Sequence, residues 1–249
     1  MIIKRVSDVV ASSFKMRLCH VSDTHGYFPK LSGSFDVVVH SGDIFPNKPP
    51  VTDPRMYNVH STIGNSNSVK EMAFQADWIG NNISMLKKWL QGRQLLFILG
   101  NHDFIHNELV EQMLNAEGVK ATSLHDKVVK FDDVTFYGFP YIPPVDGTFA
   151  YERAIPEMTE EVDNMVAKLN QEYVDVLVMH APLYRVLDLT RGNTAIGSSV
   201  ISTGIDYKLN SDMRPGFILH GHCHESNGLA MYKEILISNA ATKHHIIEI

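Results

Sequence analysis

The residues best suited to chemistry fall in short, separated clusters: Ser22-Asp23-Thr24-His25-Gly26, Ser41-Gly42-Asp43, Gly100-Asn101-His102-Asp103, His180, and Gly221-His222-Cys223-His224. Carboxylate oxygen and imidazole nitrogen in one set suit Mn, Fe or Zn, whereas an all-oxygen set suits Ca or Mg. Asn101 adds a neutral carbonyl oxygen, which limits negative charge around a cation. Asp23 and His25 stand two apart, so in an extended segment both project to one face. The same holds for His222 and His224, and alternation then turns Cys223 away from both. Each cluster alone is weak, because Asp-x-His arises by chance and a lone histidine is more often a core or surface residue than a ligand. Their order and shared placement carry the argument.

That placement is set by the elements around them. β-branched and apolar runs predict strands over Met16–Val21, Phe35–His40, Gln94–Leu99, Val174–Met179, Phe217–Leu219 and Ile235–Ser238. Lys127–Phe131 and Val134–Tyr137, joined by Asp132-Asp133, predict a hairpin. Helical periodicity marks Lys70–Gln91, with Phe74, Trp78, Leu86 and Trp89 on its apolar positions, and also Glu108–Ala116 and Pro156–Asn170. Alternating strands and helices imply an α/β domain with sheets covered by helices. Each polar cluster follows a strand, and in such folds sites gather at the carboxyl ends of strands. Glycines 26, 42, 100 and 221 allow sharp turns there.

Three stretches read as long loops: Pro46–Val69, Tyr141–Tyr151 and Arg185–Ser211. Long loops in a compact domain are often functional, which makes these the candidate walls of a site. No linker interrupts the chain, so residues 1–249 are read as one domain, with 1–14 a loosely packed extension.

Composition narrows the partners. The net charge is −6 and no basic stripe is visible, which argues against a grip on long nucleic acid. No apolar run is long enough to span a membrane, and the N-terminus lacks a leader pattern. Two cysteines, Cys19 and Cys223, are too few for a disulfide framework. The expectation is a cytoplasmic chain.

The ordered set Asp23-x-His25, Gly42-Asp43, Gly100-Asn101-His102-Asp103, His180 and Gly221-His222-x-His224 resembles the calcineurin-like metallophosphoesterase superfamily. Trp89-Leu90, Tyr137-Gly138-Phe139-Pro140, Met179-His180-Ala181-Pro182-Leu183 and Gly221–Gly228 are similar to the smaller MPPED (metallophosphoesterase-domain) group. His180-Ala181-Pro182 stands where that group tends to have His-Gly-Pro, and Cys223 where it tends to have an aliphatic residue. The resemblance implies a two-sheet β sandwich flanked by helices, with a dimetal site at the carboxyl ends of strands. It implies that Asp23, His25 and His224 hold one metal, that Asn101, His180 and His222 hold the other, and that Asp43 bridges them. Mn is the expected ion, with Fe, Zn, Ni and Co as alternatives.

The expected reaction is hydrolysis of a small phosphodiester, plausibly 2′,3′-cAMP or 3′,5′-cAMP, by in-line attack of a metal-bridging hydroxide. His102 is the expected proton donor to the leaving oxygen, with Asp103 bonded to its ring, and Asn101 and His102 face the substrate. A DNA or RNA nuclease and a phosphomonoesterase are the alternatives within the superfamily, and an inactive protein-binding scaffold is the alternative outside it. The arginines with which serine/threonine phosphoprotein phosphatases clamp a monoester have no counterpart in Gly42–Asn47 or Leu99–Asp103. His20 and His40 read as structural and His220 as a neighbour of the ligands. His60, His106 and His125 read as surface residues, and His244 and His245 as strand or tail.

Overall fold

The computed structural model describes residues 16–48 and 68–249. The proposed extension at 1–14 and most of the Pro46–Val69 stretch lie outside the described residues. Strands β1 (Arg17–Val21), β2 (Val37–Ser41), β3 (Gln94–Ile98), β4 (Ala121–Ser123) and β11 (His244–Glu248) form one sheet in the order β11-β1-β2-β3-β4. Strands β5 (Val128–Phe131), β6 (Val134–Phe139), β7 (Val176–Met179), β8 (Phe217–His220), β9 (Gly228–Tyr232) and β10 (Ile235–Asn239) form a second, in the order β5-β6-β7-β8-β10-β9. Strands β1 through β4 run parallel in the first sheet, and β6-β7-β8-β10 run parallel in the second. The flanking strands β11, β5 and β9 run antiparallel to their neighbours.

The sheets pack face to face because the inner strands are apolar on both sides, as parallel strands covered on two faces must be. Leu18, Val37, Val39, Leu96 and Ile98 of the first sheet meet Phe136, Val176, Val178 and Leu219 of the second in one buried cluster. The opposite faces are covered by helices. α1 (Ser68–Leu90) and α2 (Asn107–Ala116) lie over the first sheet, where Ile79, Leu86, Val110 and Leu114 join Cys19, Val38 and Phe97. α3 (Ile155–Leu169) lies over the second, with Met158, Val162, Met165 and Leu169 packed on Tyr137, Leu177 and Ile218. The result is the helix-flanked double sheet expected from the sequence.

α1 buries a stripe at Glu71, Gln75, Ile79, Leu86 and Leu90, a spacing that keeps side chains on one helical face. Its first two members are polar, not apolar. Glu71 accepts the Lys48 N–H at 2.8 Å, and Gln75 accepts those of Phe104 and Ile105 at 2.7 and 3.2 Å while donating to the His102 carbonyl at 2.8 Å. The helix therefore anchors the loops that follow β2 and β3. It stops at Gln91 and Gly92, both with positive φ.

The Arg185–Ser211 stretch departs from the expected loop. Ser198 caps a short helix, α4 (Ser199–Thr203), by accepting the Ile201 N–H, and a π turn continues over Gly204–Lys208. Ile201 and Ile205 are buried against the second core, which is why a segment too short for clear periodicity still folds. β4 and β9 are likewise too short or too half-buried to stand out in the sequence. No helix among the described residues is long and apolar enough to cross a membrane.

Candidate metal centre

β1, β2, β3, β7 and β8 deliver their carboxyl ends to one place. Asp23, Asp43, Asn101, His180 and His222 stand one to three residues beyond those ends, and His224 and His25 close the group. Asp23, His25 and His224 present ligand atoms within 4.8 Å of one another, and so do Asp23, Asp43 and His180. The Asn101 Oδ1 lies 2.9 Å from His180 Nε2 and 3.1 Å from His222 Nδ1. All the residues expected to bind metal are thus brought together.

The backbone achieves this differently from the extended segment expected of Asp23-x-His25. Asp23, His25, Asp43 and His222 all have left-handed φ, between 44° and 67°. Such residues cost on the order of 1 kcal/mol each and tend to cluster at functional sites. Cross-loop hydrogen bonds hold them: Asp23 N–H to the Gly42 carbonyl at 3.0 Å, His25 N–H to the Asp43 carbonyl at 3.0 Å, and His222 N–H to Asp23 Oδ2 at 2.9 Å. At Gly221 the turn also needs a bare backbone, because a Cβ there would fall on Ser22 Oγ and Asp23 Oδ2.

The donor set fits divalent cations. His25 is the most direct sign: neither ring nitrogen has a hydrogen-bond partner although both are buried. A polar atom so placed carries a desolvation cost that a cation would remove. His180 gives a second sign. Its Nδ1 faces the Ser41 carbonyl at 2.9 Å and must carry a hydrogen there, so Nε2 points a lone pair at Asn101 Oδ1 and, at 3.4 Å, Asp43 Oδ2. An acceptor facing acceptors needs a proton or a metal between them. Burial opposes charge on His180, yet Asp43 and Asp23 push its pKa up to about 9. His224 is raised for the same reason, through its 3.1 Å contact with Asp23, against the pull of burial. Burial lowers His25 to about 4 and His222 to about 3, leaving both as the neutral imidazoles that coordinate metal. Burial works against charge on Asp23 and Asp43 too, but the facing histidines hold both well below the usual carboxylate range.

His102 lines the cavity beside this group, its ring edge-on to His25 at 5.0 Å between centroids. The expected bond from Asp103 to that ring is not what the structure holds. Asp103 is fully buried and its carboxylate accepts the backbone N–H groups of Ile44, Phe45 and Gly100 at 3.1, 2.9 and 2.9 Å. Burial and the neighbouring Asp43 raise its pKa to about 7. Asp103 therefore ties the loop after β2 to the loop after β3, with both oxygens engaged by main chain. The ring of His102 instead meets Asn47, whose Oδ1 lies 2.6 Å from Nδ1. The Asn47 Nδ2 donates to the His102 carbonyl at 3.1 Å, which fixes the amide orientation and makes Nδ1 the donor to Oδ1. In the sequence Asn47 falls at the start of the Pro46–Val69 stretch, which reads as surface; its one distinguishing sign there is a polar side chain four places after Asp43.

The cavity measures about 520 Å³ and has Asp43, Asn101, His222 and His224 on its floor. Pro143, Pro144, Val145 and Phe149 from one loop and Thr190, Ile196 and Glu225 from later in the chain complete the lining. Two of the three long stretches thus supply walls. The histidines read as structural are so: His20 bonds Ser238 and Ser41, and His40 bonds Thr24 and the Gly42 N–H. His220 is buried beside the ligands, with Nδ1 on the Gly221 carbonyl. Cys223 is buried and unpaired.

Comparison with known proteins agrees with this architecture. A search of curated protein sequences finds no match. One crystal structure shares the fold at a TM-score of 0.58, with 14% identity over 90% of each chain. A second solved structure, titled as a novel archaeal phosphodiesterase, has a TM-score of 0.40 and 13% identity over 90% of this chain and 82% of that one. The sequence model for calcineurin-like phosphoesterases matches residues 16–226, a span that begins just before β1 and takes in every candidate ligand. The chain belongs to the calcineurin-like phosphoesterase family, whose members hydrolyse phosphoric esters at a two-metal centre.

Proposed function

We propose that this phosphoesterase is a phosphodiesterase of small substrates, with cyclic nucleotides such as 2′,3′-cAMP and 3′,5′-cAMP as the class to test first. One observation carries the preference for diesters: among the described residues lining the cavity there is no lysine or arginine, and the nearby Arg191 is paired with Glu225 at 3.7 Å. A phosphomonoester is close to dianionic at neutral pH and calls for cationic side chains beyond the metals. A diester carries one negative charge, which the metals alone can meet.

In this reading Asp23, His25 and His224 hold one divalent ion and Asn101, His180 and His222 the other, with Asp43 shared. Bound there, the pair would lower the pKa of a bridging water and stabilise charge growing on the phosphate oxygens, and Mn, Fe, Zn, Ni and Co all suit the donor types. His102 contributes the proton that the departing alkoxide needs. Asn47 keeps Nδ1 of that ring as a hydrogen-bond donor, so Nε2 is the nitrogen that serves the substrate, giving its proton from the imidazolium form and leaving the neutral ring with its hydrogen on Nδ1. Asp103 acts on geometry, by locking the two loops that carry Asp43 and Asn101. Two buried, unpaired thiols suit a reducing compartment, and the cytoplasm is the proposed location.

The test is turnover of the Mn-loaded protein on bis-p-nitrophenyl phosphate, p-nitrophenyl phosphate, 2′,3′-cAMP and 3′,5′-cAMP. The reading expects the diesters to be hydrolysed well ahead of the monoester. A protein that cleaves p-nitrophenyl phosphate fastest is a monoesterase, and this reading fails.

A further inference from the structure

The floor of the cavity accounts for the metals and the phosphate, yet its volume of about 520 Å³ far exceeds what one phosphate group fills. What surrounds the remaining space is mostly apolar and held in place. Pro143 and Pro144 have fixed φ, so that wall has little freedom to begin with. The Glu152 carboxylate then gathers the turn that follows, accepting the N–H groups of Val145, Asp146 and Phe149. Ala150 N–H bonds the carbonyl of Asn101 at 3.0 Å, which ties the wall directly to a candidate ligand. Phe149 stands edge-on to His102, 4.9 Å between ring centroids.

The later part of the lining is braced in a similar way. The buried Asp188 accepts the N–H groups of Arg185 and Gly197 at 2.8 and 3.0 Å. Ser226, two residues past His224, exchanges hydrogen bonds with the N–H and carbonyl of Leu189 at 2.9 and 2.7 Å. Ile196 thereby joins Phe149 and Glu225 in lining the cavity. A preformed apolar slot next to a charged reaction centre lowers the cost of binding a rigid apolar group.

We propose that this slot seats one organic ester arm of the substrate, and that it selects a neutral arm with a flat aromatic face. The proposal rests on the phosphodiesterase reading of the same site. Phe149 and Ile196 supply the apolar contact, and Phe149 also offers a ring edge for an offset or T-shaped partner. Among the described residues lining the cavity none is a lysine or arginine, and the nearby Arg191 is already paired with Glu225 at 3.7 Å, so a free phosphate or carboxylate on that arm is disfavoured.

The experiment uses two diesters with one leaving group, p-nitrophenyl phenyl phosphate and p-nitrophenyl methyl phosphate, and reads the ratio of their kcat/KM values. In the wild type the phenyl ester should lead by about tenfold or more, the scale of discrimination that apolar pockets reach. Phe149→Ala and Ile196→Ala should each pull the ratio down toward that of the uncatalysed reactions, and Phe149→Leu should keep an intermediate part of it. Taking the ratio cancels any general loss of active protein, and setting it against the uncatalysed ratio removes the difference in intrinsic reactivity. A wild-type ratio equal to the uncatalysed one overturns the proposal, and so does a ratio untouched by all three substitutions. Failure of both diesters to react, with p-nitrophenyl phosphate still cleaved, would instead count against the phosphodiesterase reading itself.

Discussion

Two groups of histidines lie close together near the strand ends and differ in their partners. His20 and His40 sit within strands, and each has both ring nitrogens hydrogen-bonded. His25, His180, His222 and His224 sit just past strand ends, where their nitrogens face carboxylates, an amide oxygen or no partner at all. Burial depresses the first pair and leaves them neutral and inert. The second group is split, His180 and His224 raised and His25 and His222 lowered, because two carboxylates stand among them. Satisfied polarity marks structure, and unsatisfied convergent polarity marks a place for a cation.

The comparison breaks first at its shared carboxylate. Asp43→Asn should lose metal by more than the roughly 10–100-fold that changes around a ligand shell typically cost, since it alters a ligand common to both ions. Isothermal titration with Mn²⁺ measures this. His102→Ala separates chemistry from binding: metal affinity should hold while turnover of alkyl diesters falls by about 10²–10⁴-fold. Bis-p-nitrophenyl phosphate, whose leaving group needs no proton, should suffer much less.

Asn47→Ala should reproduce that pattern more mildly, at up to about 10²-fold, because it loosens the ring without removing it. Asn47→Asp keeps an acceptor for Nδ1 and should recover most of the loss. The recovery would not follow if Asn47 merely packed the loop.

The smallest effect probes the inert pair. Burial lowers the His40 pKa from 6.5 to about 3, so the unfolded chain binds its proton more readily. Stability is complete above pH 6.5 and falls as pH drops toward 3, by about 1.4 kcal/mol per pH unit for each such group. Urea unfolding of metal-free His40→Gln should start from lower stability and lose less of it between about pH 6.5 and 5 than the wild type does.

Much of this was legible beforehand, for identifiable reasons. The strands that carry the ligands are apolar on both faces and short, so their runs stand out, and the polar clusters mark where each one ends. The convergence of Asp23 with His224, which follow strands of different sheets, was implied by the family resemblance. What sequence could not give was direction. Left-handed backbone at Asp23, His25, Asp43 and His222, not strand alternation, aims those side chains. Asp103 follows His102 in the chain yet is drawn to three main-chain donors, while Asn47 reaches the ring from the loop after β2. Adjacency in sequence was a poor guide to hydrogen bonding in turns. The polar half of the α1 stripe was hidden for a related reason, since Glu71 and Gln75 are buried by the loops they bind.

In the proposed centre, side chains from five strand ends seat two cations side by side. Anomalous diffraction at the manganese edge, from crystals of the Mn-loaded protein, tests it most directly. Two peaks about 3.5–4 Å apart are the predicted result, one against Asp23, His25 and His224, the other against Asn101, His180 and His222, with Asp43 touching both. A single peak, or manganese bound elsewhere, would contradict the account.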